Sequence, residues 1–565
     1  MLVFAAVAGA VLVAGGVGFA VFGRFVAPPE PTEDRIDGRD WLGAYTDLVV
    51  DALLERLAVV ALVVGVLVLV AAAVMVRRVR RGDGYYGEWG FLVPVGVFAG
   101  LIVLPVLASA GHAGAAVAHA RAALPLSAGV PAVLAGCFLV VAGSALLLPA
   151  AALPTKLRRP RPAGLLLPAV VGLVAVVFAA GLVVRAADDS RSLDHRTVQA
   201  GAVPAVPGSI QGERYRIPIF EEAWEGDVDI AVAGAGFVVV RADGVTAYHG
   251  ETGAELWHYR RDRVPEGIGV EQQSVRTLVD GVVLVSWQRR GWVALDAMTG
   301  AELWRESEFT RDRDAGSSSP GRERLDRELP NLLTRIDGRY DSEVADGITV
   351  YDPRTGARLW SAAADHDGCA ASSVTHFVAA VAAVHRVTGC GAAAQVRLTT
   401  LDPRTGAEIR SQVLPAYFPL RSFDSIEIEV GRAGNHSLLG WRDSAYLLRG
   451  AEPPLPVPGA VALISATEHE ALLAMSGRRT EVIGAAEVRP GPARYGRYSH
   501  VLLDAEVVGV NKEEAGVGLE IWSRTDLRPG PTLPVPSERR SCDASPLAAP
   551  GAVLVRCGGF LIGYR

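Results

Sequence analysis

Four stretches of this 565-residue chain align without gaps. They are Ala247-Tyr-His-Gly-Glu-Thr-Gly-Ala-Glu-Leu-Trp257, Ala294-Leu-Asp-Ala-Met-Thr-Gly-Ala-Glu-Leu-Trp304, Val350-Tyr-Asp-Pro-Arg-Thr-Gly-Ala-Arg-Leu-Trp360 and Thr400-Leu-Asp-Pro-Arg-Thr-Gly-Ala-Glu-Ile-Arg410. Their glycines, at 253, 300, 356 and 406, are 47, 56 and 50 residues apart. A period of this length means one small structural unit repeated, each copy relying on its neighbours to bury its apolar face.

Each copy has a local physical reading. Alternating β-formers such as Gly291-Trp-Val-Ala-Leu295 predict a strand, and the polar stretch after it predicts a turn. Asp296, Asp352 and Asp402 can fold their carboxylates onto backbone amides two or three residues on. Thr252, Thr299, Thr355 and Thr405 precede Gly253, Gly300, Gly356 and Gly406, where glycine supplies the positive φ that ends the loop. The next strand then carries Trp257, Trp304 or Trp360 at a constant offset, so each indole arrives at the same place in its unit. A repeat near 45 to 50 residues built of short strands is one blade of a β-propeller.

These segments resemble the tryptophan-docking repeat of the PQQ-like, or quinoprotein-dehydrogenase-like, β-propellers. The resemblance implies that each Trp packs between neighbouring blades. His249 replaces the Asp of the first copy and Arg410 the Trp of the fourth, so those two blades are expected to dock less well. The match covers about 230 to 412, and weaker strand pairs such as Ser437-Leu-Leu-Gly-Trp441 with Ala445-Tyr-Leu-Leu448 extend it to the C-terminus. A propeller over 209–565 at about 45 to 50 residues per blade has seven or eight blades, and eight are expected. The polar insert 306–330 is expected to be a surface loop, and 186–208 a linker.

Residues 1–185 are of another kind. Five apolar runs, 1–23, 57–76, 91–110, 129–153 and 163–184, are each long enough to cross about 30 Å of hydrocarbon as a helix. Arg77, Arg78, Arg80 and Arg81 follow the second run, and Lys156, Arg158, Arg159 and Arg161 separate the last two. Such clusters mark cytoplasmic loops, which gives an inward N-terminus, five crossings and an exported C-terminal propeller in the cell membrane. The runs contain no Asp, Glu, Lys, Arg or His, and this argues against transport. Cys137, in apolar surroundings, is read as an inert thiol.

Residues 186–565 carry 41 basic and 51 acidic residues without a basic tract, which excludes the electrostatic footprint of a nucleic-acid binder. Four cysteines fall in this exported half, and short-range pairing would join Cys369 to Cys390 and Cys542 to Cys557, although four cysteines allow three connectivities. His366, His376 and His385 lie near the first pair, but their irregular spacing and the lack of a Cys-x-x-Cys unit speak against zinc.

The resemblance also raises an enzyme. Membrane-bound quinoprotein glucose dehydrogenases are similar in layout, with five N-terminal crossings before an exported propeller that binds PQQ and calcium. Many relatives stack the quinone on a disulfide between adjacent cysteines, and no adjacent cysteines occur here. A Trp-rich loop with recognisable calcium ligands is missing too. The expectation is therefore a non-catalytic module without cofactor that binds envelope or exported proteins, with a PQQ- and calcium-dependent dehydrogenase of sugars or alcohols as the alternative.

Overall fold

The computed structural model describes residues 2–26, 57–74, 77, 129–152 and 163–188 and, with breaks in the connections between strands, 193–565. The chain divides into two compact units, essentially the apolar N-terminal part and the β-rich remainder from His195 on.

In the first unit the apolar runs are helical. Helix α1 (Leu2–Val21) is continued by a π turn to Val26. It is followed by α2 (Leu57–Val74), α3 (Gly129–Ala152) and α4 (Ala163–Ala187). Three helical stretches among the described residues, Phe4–Val26, Leu57–Val74 and Leu166–Ala186, are long and apolar enough to cross a membrane. Of the five expected crossings, three correspond to stretches that meet this measure among the described residues. Helix α3 contributes a shorter apolar stretch, Pro131–Leu147, and the run 91–110 lies outside the described residues.

Glycine sets the packing of α1 on α3. A methyl group at Gly9 would sit 2.7 Å from the Gly143 carbonyl oxygen, at Gly16 2.6 Å from that of Gly136, and at Gly23 2.7 Å from that of Gly129. One series ascends by sevens while the other descends, so the two helices run antiparallel with their backbones in contact, as small residues permit in a bilayer. Helix α4 runs parallel to α1: Gly172 meets Val11, and Gly15 meets Val176.

The second unit is a β-propeller. Its described residues form eight antiparallel sheets, seven with four or five strands and one with three. The first holds β3 (Asp229–Ala233), β4 (Gly236–Arg241), β5 (Gly244–His249) and β6 (Glu255–Arg261). The second runs from β7 (Ser274–Leu278) through β8 (Val282–Ser286) and β9 (Trp292–Asp296) to β10 (Glu302–Trp304). The third is β11 (Leu333–Gly338), β12 (Ala345–Tyr351) and β13 (Arg358–Ala363). The fourth spans β14 (Val374–Ala380) to β17 (Glu408–Phe418). The fifth contains β19 (His436–Trp441) and β20 (Ser444–Arg449), and the sixth begins at β22 (Ala460–Ala466). The seventh includes β26 (His500–Leu502) and β27 (Glu506–Glu513).

The eighth sheet joins the two ends of the ring. Strands β30 (Leu547–Ala549), β31 (Ala552–Cys557) and β32 (Phe560–Tyr564) are completed by β2 (Glu213–Pro218), which pairs antiparallel with β32. Strand β3 touches both β7 and β30, and β26 touches β30, so the last sheets in sequence meet the first. The cores lie between sheets: Phe237, Val239, Leu554 and Leu561 share one cluster across the first and eighth.

The segment expected as a linker is part of this unit from His195 onward. Strand β1 (Leu193–Arg196) is the outermost strand of the first sheet, beside β6. Cys557 is buried. Cys369, Cys390 and Cys542 lie outside the described residues, and so does most of the insert 306–330.

Candidate functional site

The repeated turns are where the sequence concentrates its polar residues. In the second sheet the Asp296 carboxylate accepts the backbone amides of Met298 (3.1 Å) and Thr299 (3.0 Å) and the Thr299 hydroxyl (3.0 Å). Asp402 does the same with the amides of Arg404 and Thr405 and the Thr405 hydroxyl, at 2.8 to 2.9 Å. Asp352 accepts from the amides of Arg354 and Thr355. The threonine hydroxyls in turn accept the amide two residues on, from Ala254 at Thr252 to Ala407 at Thr405. Gly253, Gly300, Gly356 and Gly406 adopt φ between 65° and 72°, and the amide of each donates back to residue 249, 296, 352 or 402.

His249 replaces the carboxylate in the first copy with its Nδ1, which accepts the Glu251 amide at 3.2 Å. The turn therefore keeps its shape despite the substitution.

Burial raises the Asp296 pKa, but the guanidinium of Arg354, the Thr299 hydroxyl and the two amides outweigh that effect and hold the carboxyl below its ordinary value. The Arg354 contact, 3.0 Å, ties the turn of one sheet to that of the next. At Asp402 the Thr405 amide and hydroxyl lower the pKa against slight desolvation.

The tryptophans complete the link between neighbours. Trp257 Nε1 donates to the Ala297 carbonyl (3.0 Å), Trp304 Nε1 to that of Pro353 (2.9 Å), and Trp360 Nε1 to that of Pro403 (2.9 Å). Each acceptor follows the aspartate of the next copy. The ring also lies on the next copy's glycine: a methyl at Gly300 would be 2.7 Å from Trp257 Cδ2, and one at Gly406 2.7 Å from Trp360 Cδ2. Gly356 lies against Ser307 and the Trp304 ring. Trp257 is 0% exposed and Trp304 7%, while Trp360 is half-buried.

Sequence reasoning missed the partner of the first copy. Gly253 lies on the ring of Tyr215, whose hydroxyl donates to the Gly250 carbonyl at 2.7 Å. Tyr215 sits on β2, so the N-terminal strand of the composite eighth sheet supplies the aromatic that docks the first sheet. The weaker docking expected beside His249 is not seen, since both its turn and its aromatic partner are in place. The spacing was the available signal: Tyr215 precedes Gly253 by 38 residues, near the 43 separating Trp257 from Gly300. Arg410 stands half-buried at the Trp position of β17 and has no indole to donate.

Among the described residues, no group of three or more His, Cys, Asp or Glu side chains is placed to hold a metal.

The fold is a β-propeller that follows apolar N-terminal helices, and its repeated turns are similar to those of PQQ-like propellers. Residues 218–329 match the family model described as outer membrane protein assembly factor BamB. No curated protein matches the chain. Solved structures similar to it include BamB from Moraxella catarrhalis, at 13% identity and a TM-score of 0.33, covering 62% of this chain and 97% of that one. The computationally designed Ika8 protein is 14% identical with a TM-score of 0.36, over 63% and 100% of the two chains. Dihydro-heme d1 dehydrogenase NirN in complex with DHE is 11% identical with a TM-score of 0.33, over 64% and 84%.

Proposed function

We propose that this chain is a membrane-anchored propeller of eight blades, one per sheet, acting as a protein-binding scaffold on the extracytoplasmic side of the cell membrane. One observation carries the reading. The repeat commits its carboxylates, hydroxyls and indoles to closing turns and docking blades, so the conserved pattern of the four copies is spent on rigidity and leaves no catalytic constellation of its own. A stiff ring with connections of varied sequence suits the gripping of other polypeptides. The matched family's description as an outer membrane protein assembly factor supports partners among envelope or exported proteins.

The helix directions support the location. Parallel α1 and α4 support an odd number of crossings, which agrees with the exported C-terminal part expected from the arginine clusters. Crosslinking in intact cells followed by purification of the full chain is expected to give discrete envelope-protein adducts that re-form between purified components. Their failure to re-form would overturn the scaffold reading. PQQ with calcium is expected to leave the melting temperature of the detergent-solubilised chain unchanged, whereas a true ligand at a hundred times its Kd adds about 2.7 kcal/mol. Calcium-dependent stabilisation by PQQ would promote the dehydrogenase instead.

A further inference from the structure

The stretch between β1 and β2 has a role that neither the repeat nor the scaffold reading assigns. Residues 195–212 do not hang between the helices and the ring. Val198 donates its amide to the Thr299 carbonyl (3.0 Å) in the second sheet, and the His195 ring contacts the Gly300 carbonyl (2.7 Å) beside it. Further on, the Ala205 carbonyl accepts the amide of Gly551 (3.0 Å) in the eighth sheet. The Gly208 carbonyl then accepts the amide of Ala505 (2.9 Å) in the seventh, and the Ile210 amide donates to Glu506 Oε2 at 2.9 Å. The Ile210 side chain is 5% exposed, inside the apolar cluster shared by the seventh and eighth sheets.

These contacts fall on both sides of the place where the two ends of the ring meet. Among the described residues, the eighth sheet joins the two ends of the propeller sequence, and its β2–β32 ladder is a non-covalent join between residues 213–218 and 560–564. The segment begins at the second sheet, passes the first, and ends on the eighth and seventh. It therefore bridges the boundaries that would separate if that join opened.

We infer that residues 195–212 form a strap that locks the ring, so that β2 leaves β32 only after the strap has let go. Strap and join act in series: releasing Val198, Ala205, Gly208 and Ile210 frees the flanking sheets, and only then does the ladder lose its support.

Native-state hydrogen exchange on the full chain in detergent micelles tests this order. In the unaltered protein, as sub-denaturing urea rises, the amides of Ala505 and Gly551, which donate into the strap, should exchange no later than those of β2 and β32. Exchange of β2 while Ala505 and Gly551 remain protected would overturn the inference. Ile210→Ala removes the buried anchor of the strap and should speed exchange in β2 and β32 about tenfold, with β14–β17 unaffected. Unchanged rates in β2 and β32 would also overturn it. Should that variant fail to fold, the urea series on the unaltered chain still decides.

Discussion

Trp257, Trp304 and Trp360 make the same hydrogen bond and differ in burial, so they form a graded test of blade docking. Truncating a buried large aromatic costs about 3 to 5 kcal/mol, and Trp257→Ala and Trp304→Ala are expected in that range. Trp360→Ala, at a half-buried ring, should cost less. Urea unfolding of the detergent-solubilised protein measures all three, and a loss below about 1 kcal/mol at Trp257 would mean that its indole does not dock the blades. His436 gives a pH test at the same scale. It lies 2% exposed on β19, opposite Arg449 on β20, with Glu452, His469 and the Thr467 backbone nearby. Burial first, and then the positive charge of Arg449, hold its pKa below the ordinary imidazole value. The unfolded chain thus binds the proton more readily, and the stability gained from keeping His436 neutral is present above about pH 6.5 and is lost as pH falls toward the folded value. His436→Leu should flatten thermal stability against pH across that interval, whereas an unchanged slope would assign the acid sensitivity elsewhere.

At the scale of elements, the helix pair α1 and α3 offers an internally controlled substitution. Gly16 and Gly18 lie two residues apart on α1, yet a methyl at Gly16 would collide with the Gly136 carbonyl while one at Gly18 meets nothing within 4 Å. Gly16→Val is expected to cost about 1 to 3 kcal/mol through overpacking, and Gly18→Val nothing measurable. Equal effects of the two on the detergent unfolding midpoint would reject the antiparallel glycine contact. The series Gly9, Gly16, Gly23 and Gly129, Gly136, Gly143 was readable as two sevenfold glycine spacings in facing apolar runs, but hydropathy alone counts such residues as filler. The repeat turns were legible for the opposite reason: Asp, Thr and Gly act on amides within a few residues of themselves, so local sequence specifies them. Tyr215 was marked only by its spacing to Gly253, and the strap was not legible because its partners lie at Thr299, Gly551 and Ala505, where no local pattern marks the pairing.

The proposed orientation of the chain in the membrane rests on helix direction combined with charge. Gly143 on α3 lies against Gly9 and Gly129 against Gly23, so the C-terminal end of α3 is on the same side as the start of α1. The connection 153–162 leaves from that end and carries Lys156, Arg158, Arg159 and Arg161. Basic residues close to membrane helices favour the cytoplasm, and the proposed orientation rests on this rule. Helix α4 runs parallel to α1, so in the proposed orientation the chain after α4 is expected on the extracytoplasmic side. Two single cysteines can read this out in intact cells with a membrane-impermeant maleimide, the parent chain serving as background. Gly201→Cys falls on an exposed strap residue with nothing within 4 Å of the added atom and should be labelled from outside. Thr155→Cys should react only after the membrane is permeabilised. Labelling of Thr155→Cys in sealed cells, with Gly201→Cys protected, would reverse the topology and place the propeller in the cytoplasm, against the exported reading.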